Sequence, residues 1–209
     1  MYQGSSLSHL HYQTIFYFEK MRLYFHNMKY ISKIIVLSLL PALIGLTSCK
    51  PVSLLKSGQT LQLATSTENY VEVTIALARR ENNQFFLSAT FTPLDPSLHL
   101  YSKEIPRNGV EGLGRPALLE LAPGSSIKEI GELFENISAL APLSGPPELR
   151  IYPAGAITLS MPVQLPEGEG WFSDKAIVTY MACNNEGCRP PVEGKAIAIR
   201  VPGNDTVNP

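Results

Sequence analysis

The sequence predicts an all-β protein, an immunoglobulin-like antiparallel β-sandwich, and three observations predict it. Apolar residues recur at every second position through a series of short runs, the period of a half-buried strand. The runs are separated by Pro/Gly turns, and 17 prolines suit edges and turns better than helix interiors. The composition, 44% hydrophobic and 17% charged, is that of a globular chain rather than a disordered one. At 209 residues there is room for one domain or two small ones.

In chain order, residues 1–27 are aromatic and contain His9, His11 and His26, and they precede a complete export signal. They are expected to be a mis-assigned upstream extension, with Met28 the true start. Residues 28–48 read as a lipoprotein signal peptide. Met28 to Lys33 forms a basic start, and Ile34 to Leu46 is a 13-residue apolar core, too short for a comfortable membrane span and interrupted by Pro41. Leu46-Thr47-Ser48-Cys49 resembles the bacterial lipobox, so Cys49 is the expected lipidation site. A lone free thiol would be out of place in an oxidising compartment, which favours the lipid reading. Residues 49–58 are the expected tether, 59–203 the sandwich domain and 204–209 a tail.

Within the domain, Leu61 and Leu63 alternate with polar residues. Val71, Val73, Ile75 and Leu77 form a second apolar row, and Phe85, Leu87, Ala89 and Phe91 a third. Glu81-Asn82-Asn83 between them is a hairpin turn. Ile157, Leu159, Met161, Val163 and Leu165 make the cleanest row, and Ile197, Ile199 and Val201 the last. Leu118 with Leu121, and Leu149 with Ile151, suggest shorter strands. Residues 125–133 are the single place where a helical turn is expected. Residues 131–147 lack alternation and read as a proline-rich loop, which in a compact domain is commonly functional or mobile.

After Cys49 the chain holds 13 Lys and Arg against 17 Asp and Glu, hence −4. That balance makes no electrostatic case for nucleic acid. No phosphate loop, Ser/His/Asp set or carboxylate pair stands out. Zinc wants four ligands, and His99 is the one histidine after Cys49, so neither a metal nor a cofactor is expected.

The chemistry-bearing stretch is 178–192. Ala176, Val178, Tyr180 and Ala182 fall on one face of a strand leading into Cys183; Asn184-Asn185-Glu186-Gly187 is turn chemistry; Cys188 follows, then Arg189, Pro190 and Pro191. The two cysteines therefore sit at the ends of a short hairpin loop, within disulfide reach. A structural staple and an exchanging dithiol are both open. In the chain-entropy model a six-residue ring contributes only about 2 kcal/mol, whereas a staple joining distant strands would contribute more. A turn-borne pair beside two prolines offers the accessible sulfur that exchange needs.

Tyr180-Met181-Ala182-Cys183, four residues, then Cys188-Arg189-Pro190-Pro191 resembles the active-site hairpin of the N-terminal periplasmic domain of the thiol:disulfide interchange protein DsbD. Leu98-His99-Leu100-Tyr101-Ser102 resembles the same family's aromatic/His-x-Tyr-Ser segment, and with the strand order the similarity covers about 59–202. Met181 stands where the family has Gln, Arg189 where it has an apolar residue, and the loop is one residue shorter.

With the lipobox at Cys49 pointing to a lipid-anchored protein on the periplasmic side of the bacterial cell envelope, the resemblance implies that it relays electrons between a membrane or thioredoxin-like donor and an oxidised partner. It implies that Cys188 forms the mixed disulfide; the Arg189 charge next to it, where the family has an apolar residue, is expected to favour the thiolate. It also implies a cap loop over the cysteines, for which Phe134 and Glu135 are the nearest candidates, in inverted order. The sequence carries no transmembrane reductase segment, so the donor is expected to be a separate protein. The alternatives are a lipid-anchored binding or structural module with an inert disulfide, and a copper-handling protein using Met181 with the thiols.

Overall fold

The computed structural model describes residues 55–207, so the upstream extension, the signal peptide and Cys49 lie outside the described residues. In chain order the strands are β1 (Thr60–Glu68), β2 (Val71–Arg79), β3 (Phe85–Pro93), β4 (His99–Leu100), β5 (Leu118–Leu121) and β6 (Lys128–Glu129). β7 (Phe134–Glu135), β8 (Ile157–Gln164), β9 (Trp171–Tyr180), β10 (Ala182–Asn184), β11 (Gly187–Cys188) and β12 (Val192–Pro202) follow, then a short helix α1 (Asn204–Val207). One sheet runs β1-β2-β3-β8-β6 with β7 also on β8; the opposing one runs β12-β9-β5; a small third one runs β11-β10-β4. All pairings between these strands are antiparallel.

The period-two rows make this core. Val71, Val73, Ile75 and Leu77 are at most 1% exposed, and Leu87, Ala89, Phe91, Leu159 and Val178 are fully enclosed with them. Rows from the first sheet meet Ala176, Val178, Tyr180, Ile197, Ile199 and Val201 from the second in one cluster. The result is the expected two-layered, antiparallel β-sandwich.

Four local expectations change. The 125–133 stretch makes no helix; β6 lies there instead, preceded by a turn in which Asp174 Oδ2 accepts from Ser125 Oγ (2.9 Å), Ser126 Oγ (2.7 Å) and the Ser126 amide (2.8 Å). Serines that bond across to a carboxylate compete with helical bonding. Within the expected loop 131–147, Phe134–Glu135 pairs with β8 opposite Ser160 and Leu159. On β5 it is Leu119 that enters the core, opposite Val178, while Leu118 and Leu121 are half-buried. Leu149–Ile151 forms bridges rather than a strand, Ile151 joining Tyr101 and Leu140.

The packed body also reaches past both expected edges. Leu55, expected in the tether, is 6% exposed, and Val207, expected in the tail, is 3% exposed. Arg79 ties them together, its Nη1 donating to both carbonyls at 3.1 and 3.0 Å.

Candidate functional site

β9 ends at Tyr180, and after one residue the chain leaves the β12-β9-β5 sheet to pair with β4. This switch carries Cys183 out to a small ribbon at the end of the sandwich. There Cys183 pairs with His99 on one side and with Cys188 on the other. Directly opposed cross-strand positions are close enough for a disulfide, and the two cysteines form one, with Cα atoms 4.0 Å apart.

The turn itself is held by Asn184. Its Oδ1 accepts from the Glu186 and Gly187 amides at 3.0 and 3.2 Å, an Asx-type turn. Asn185 and Glu186 keep negative φ, and the positive angle falls on Gly187 alone (φ 147°). Asn184 Nδ2 also donates to Ser97 Oγ at 2.9 Å, and Asp95 fixes Ser97 through its amide (2.9 Å) and hydroxyl (2.8 Å).

The outgoing arm is gripped by the β1–β2 turn. Asn69 Nδ2 donates to the Pro190 carbonyl at 2.8 Å, and the Arg189 guanidinium lies 4.7 Å above the Tyr70 ring. Both turn residues have positive φ, 48° and 64°, the pattern of a two-residue primed turn. For a residue as bulky as Tyr70 that angle is strained, so the contacts at the turn must hold it there. The hairpin is thus anchored on both arms while its loop is exposed.

The two sulfurs have different surroundings. Cys183 is 2% exposed and packs with Tyr101, Ile105 and Leu149, with Met181 against the same cluster; Cys188 is exposed. Tyr101 OH donates to Cys183 Sγ at 3.1 Å and lies 3.9 Å from Cys188 Sγ. Burial pushes the Tyr101 phenol pKa up, so the hydroxyl remains a donor at neutral pH. His99 meets the Tyr101 ring edge-on with centroids 5.6 Å apart, and burial lowers its pKa, which favours the neutral imidazole. Chemically this is one cysteine on an exposed residue, one on a buried residue, and a neutral hydroxyl within reach of both sulfurs.

Of the site residues singled out from sequence, Cys183 and Cys188 are brought together with His99, Tyr101 and Met181 around them, while Arg189, Phe134 and Glu135 make other contacts. Arg189 follows Cys188 directly, and its guanidinium stacks on Tyr70. Its Nε is buried without a hydrogen-bond partner. Its charge adds to the lowering of the Asp95 carboxyl, which comes first from the Ser97 amide and hydroxyl bonds.

The two cap candidates are likewise occupied. The Phe134 ring packs edge-on against Phe86 (5.8 Å) with Arg80 stacked alongside (5.5 Å), and Glu135 accepts a 2.5 Å bond from Tyr152 OH. Pairing of β7 with β8 sets these contacts on the first sheet, where a free loop had been expected. Tyr101 stood out in sequence as part of the 98–102 motif but with no role assigned to it, and Asn69, Tyr70 and Ser97 carried no signal, because their contacts cross 82 to 121 residues of chain.

Tyr101→Phe removes the hydroxyl and little else. A hydrogen bond to a charged group contributes roughly 1.5–3 kcal/mol. The Cys183 thiolate fraction should therefore fall about tenfold or more in the reduced variant at a pH below its thiol pKa. Thiol-alkylation rates against pH for Cys183, with Cys188 replaced by alanine, check this; an unchanged profile would remove Tyr101 from the site.

No family model matches the chain, and no curated protein does. Among solved structures it is similar to the N-terminal domain of DsbD from Neisseria meningitidis in the reduced form. The identity is 16%, the TM-score 0.34, and the match covers 56% of this chain and 77% of that one. A likeness of that extent carries no argument, and the chemistry is read from the hairpin itself.

Proposed function

We propose that this chain is an extracytoplasmic thiol–disulfide exchange protein, tethered to the bacterial envelope through a lipid on Cys49. It relays electrons between a membrane or thioredoxin-like donor and an oxidised partner. The observation that carries the reading is the asymmetry of the pair: an exposed Cys188 bonded to a buried Cys183, with one phenol in reach of both sulfurs.

In the reduced protein the Cys188 thiolate attacks one sulfur of the partner's disulfide. That S–S bond breaks, the partner's other sulfur leaves as a thiolate and takes a proton from solvent, and a Cys188–partner disulfide forms. The Cys183 thiolate then attacks Cys188 Sγ, the partner's remaining sulfur leaves, and the Cys183–Cys188 disulfide closes. The partner gains two electrons and two protons. A dithiol donor reverses the sequence and restores the reduced pair. Tyr101 supports the second step, because its hydroxyl donates to the buried sulfur that must act as a thiolate.

The experiment that tests this is capture of a partner by the Cys183→Ala protein, whose Cys188 adduct has no thiol left to resolve it.

A further inference from the structure

The two-residue turn between β1 and β2 is closed by Asn69 and Tyr70, with Glu68 paired to Val71 across it. Their φ angles of 48° and 64° are both left-handed. A turn of that hand suits Asn followed by Gly, because a side chain at the second position strains the backbone. Here the glycine position holds a tyrosine, and its ring does not fill the core: Tyr70 is 58% exposed. Strain of this kind gathers at sites that bind or react.

The turn stands at the redox hairpin. Asn69 donates to the Pro190 carbonyl, the Arg189 guanidinium stacks on the Tyr70 ring, and Tyr180 OH, at the end of β9, donates to the Glu68 carbonyl at 3.0 Å. The connection from β3 to β4 reaches the same place. The Leu94 amide donates to the Tyr70 carbonyl at 2.9 Å, and Ser97 accepts from Asn184 of the hairpin. Leu94 is 57% exposed, and Pro96, Pro190 and Pro191 are exposed as well. Exposed apolar side chains scattered singly are ordinary. Tyr70 and Leu94 are different, because their backbones are bonded to each other beside the exposed Cys188 hairpin.

We propose that Tyr70 and Leu94, with the neighbouring prolines, form the patch on which a thioredoxin-like protein seats while its redox cysteine is joined to Cys188. This rests on the exchange reading above and adds the surface that chooses the partner. A disulfide between two proteins presses together the surfaces around it. An interface of standard size covers about 800 Å² on each partner, a disc roughly 16 Å in radius, and a ring stacked on the residue next to Cys188 falls inside it. The residue types suit the task. Tyrosine and proline give apolar contact with little rotamer freedom to lose, and tyrosine is enriched among the residues that carry interface energy. The patch fits a protein with apolar surface around its redox cysteine. A small dithiol has no such surface and reacts without using the patch.

The test measures single-turnover reduction of the oxidised full chain, once by reduced thioredoxin and once by dithiothreitol, with the freed thiols trapped by alkylation. Tyr70→Gly removes the ring and takes the positive φ without strain; Leu94→Ser removes apolar contact and leaves the turn as it is. Each variant should slow reduction by thioredoxin roughly tenfold, the loss expected of a central interface residue, with reduction by dithiothreitol unchanged. Tyr70→Gly should melt no lower than the wild type. Equal slowing with both reductants would assign the effect to the reactivity of the sulfurs and overturn the patch. Unchanged rates with both reductants in both variants would overturn it too and leave the exchange reading standing. A Tyr70→Gly protein that melts well below the wild type, with Leu94→Ser reduced normally, would make Tyr70 a structural residue and likewise overturn the patch. Reduction of the wild type by thioredoxin no faster than by dithiothreitol would remove the exchange reading, and the patch with it.

Discussion

Cys183→Ala should turn the protein into a trap. With Cys188 exposed and its resolving partner gone, an adduct with an oxidised protein has no internal thiol to release it. A pull-down from periplasmic extract under non-reducing conditions should recover a thioredoxin-like or membrane thiol–disulfide protein that dithiothreitol releases. Cys188→Ala should capture little, because the sulfur that remains, Cys183, is 2% exposed and enclosed by Tyr101, Ile105 and Leu149. The contrast between the two variants should be close to all-or-none. Capture by Cys188→Ala instead would keep the chemistry and exchange the two roles. No specific adduct from either, with the fold intact, would leave an inert disulfide on a binding module.

Leu159→Ala should cost far more stability than breaking the disulfide. Leu159 is 0% exposed on β8, paired with Ala89 on one side and Glu135 on the other, inside the main core. Truncating such a leucine costs about 2–5 kcal/mol, because the cavity closes only in part. Reducing the Cys183–Cys188 bond opens a ring of six residues, which in the chain-entropy model is worth about 2 kcal/mol. The hairpin keeps its other ties after reduction: Asn184 to Ser97, Asn69 to the Pro190 carbonyl, and the Arg189–Tyr70 stack. Urea unfolding of the reduced wild type and of oxidised Leu159→Ala checks the ranking. Unfolding on mild reduction with Leu159→Ala tolerated would make the disulfide a staple.

The strands and the cysteine pair were legible in sequence for a common reason. Alternation of side chains and the chemistry of a tight turn are local properties, so the rows at 71–77, 85–91 and 157–165, and the hairpin at 183–188, can be read from a few residues each. The environment of the sulfurs is not local. Tyr101 reaches Cys183 because β4 and β10 pair across the end of the sandwich, and no pattern within 98–102 announces that partner. For Arg189, proximity in sequence suggested a charge next to Cys188, and what the sequence could not show is that its guanidinium stacks on Tyr70 of the β1–β2 turn. Phe134 and Glu135 looked free because 131–147 lacks alternation, yet backbone pairing with β8 and the Tyr152 bond engage them.

The central claim is that the Cys183–Cys188 bond is made to be exchanged. Its reduction potential, measured by equilibration in glutathione or dithiothreitol redox buffers, tests that most directly. The account predicts a value above about −300 mV, within the roughly −270 to −120 mV that exchange proteins span. A value well below about −300 mV, where structural disulfides lie, would contradict it.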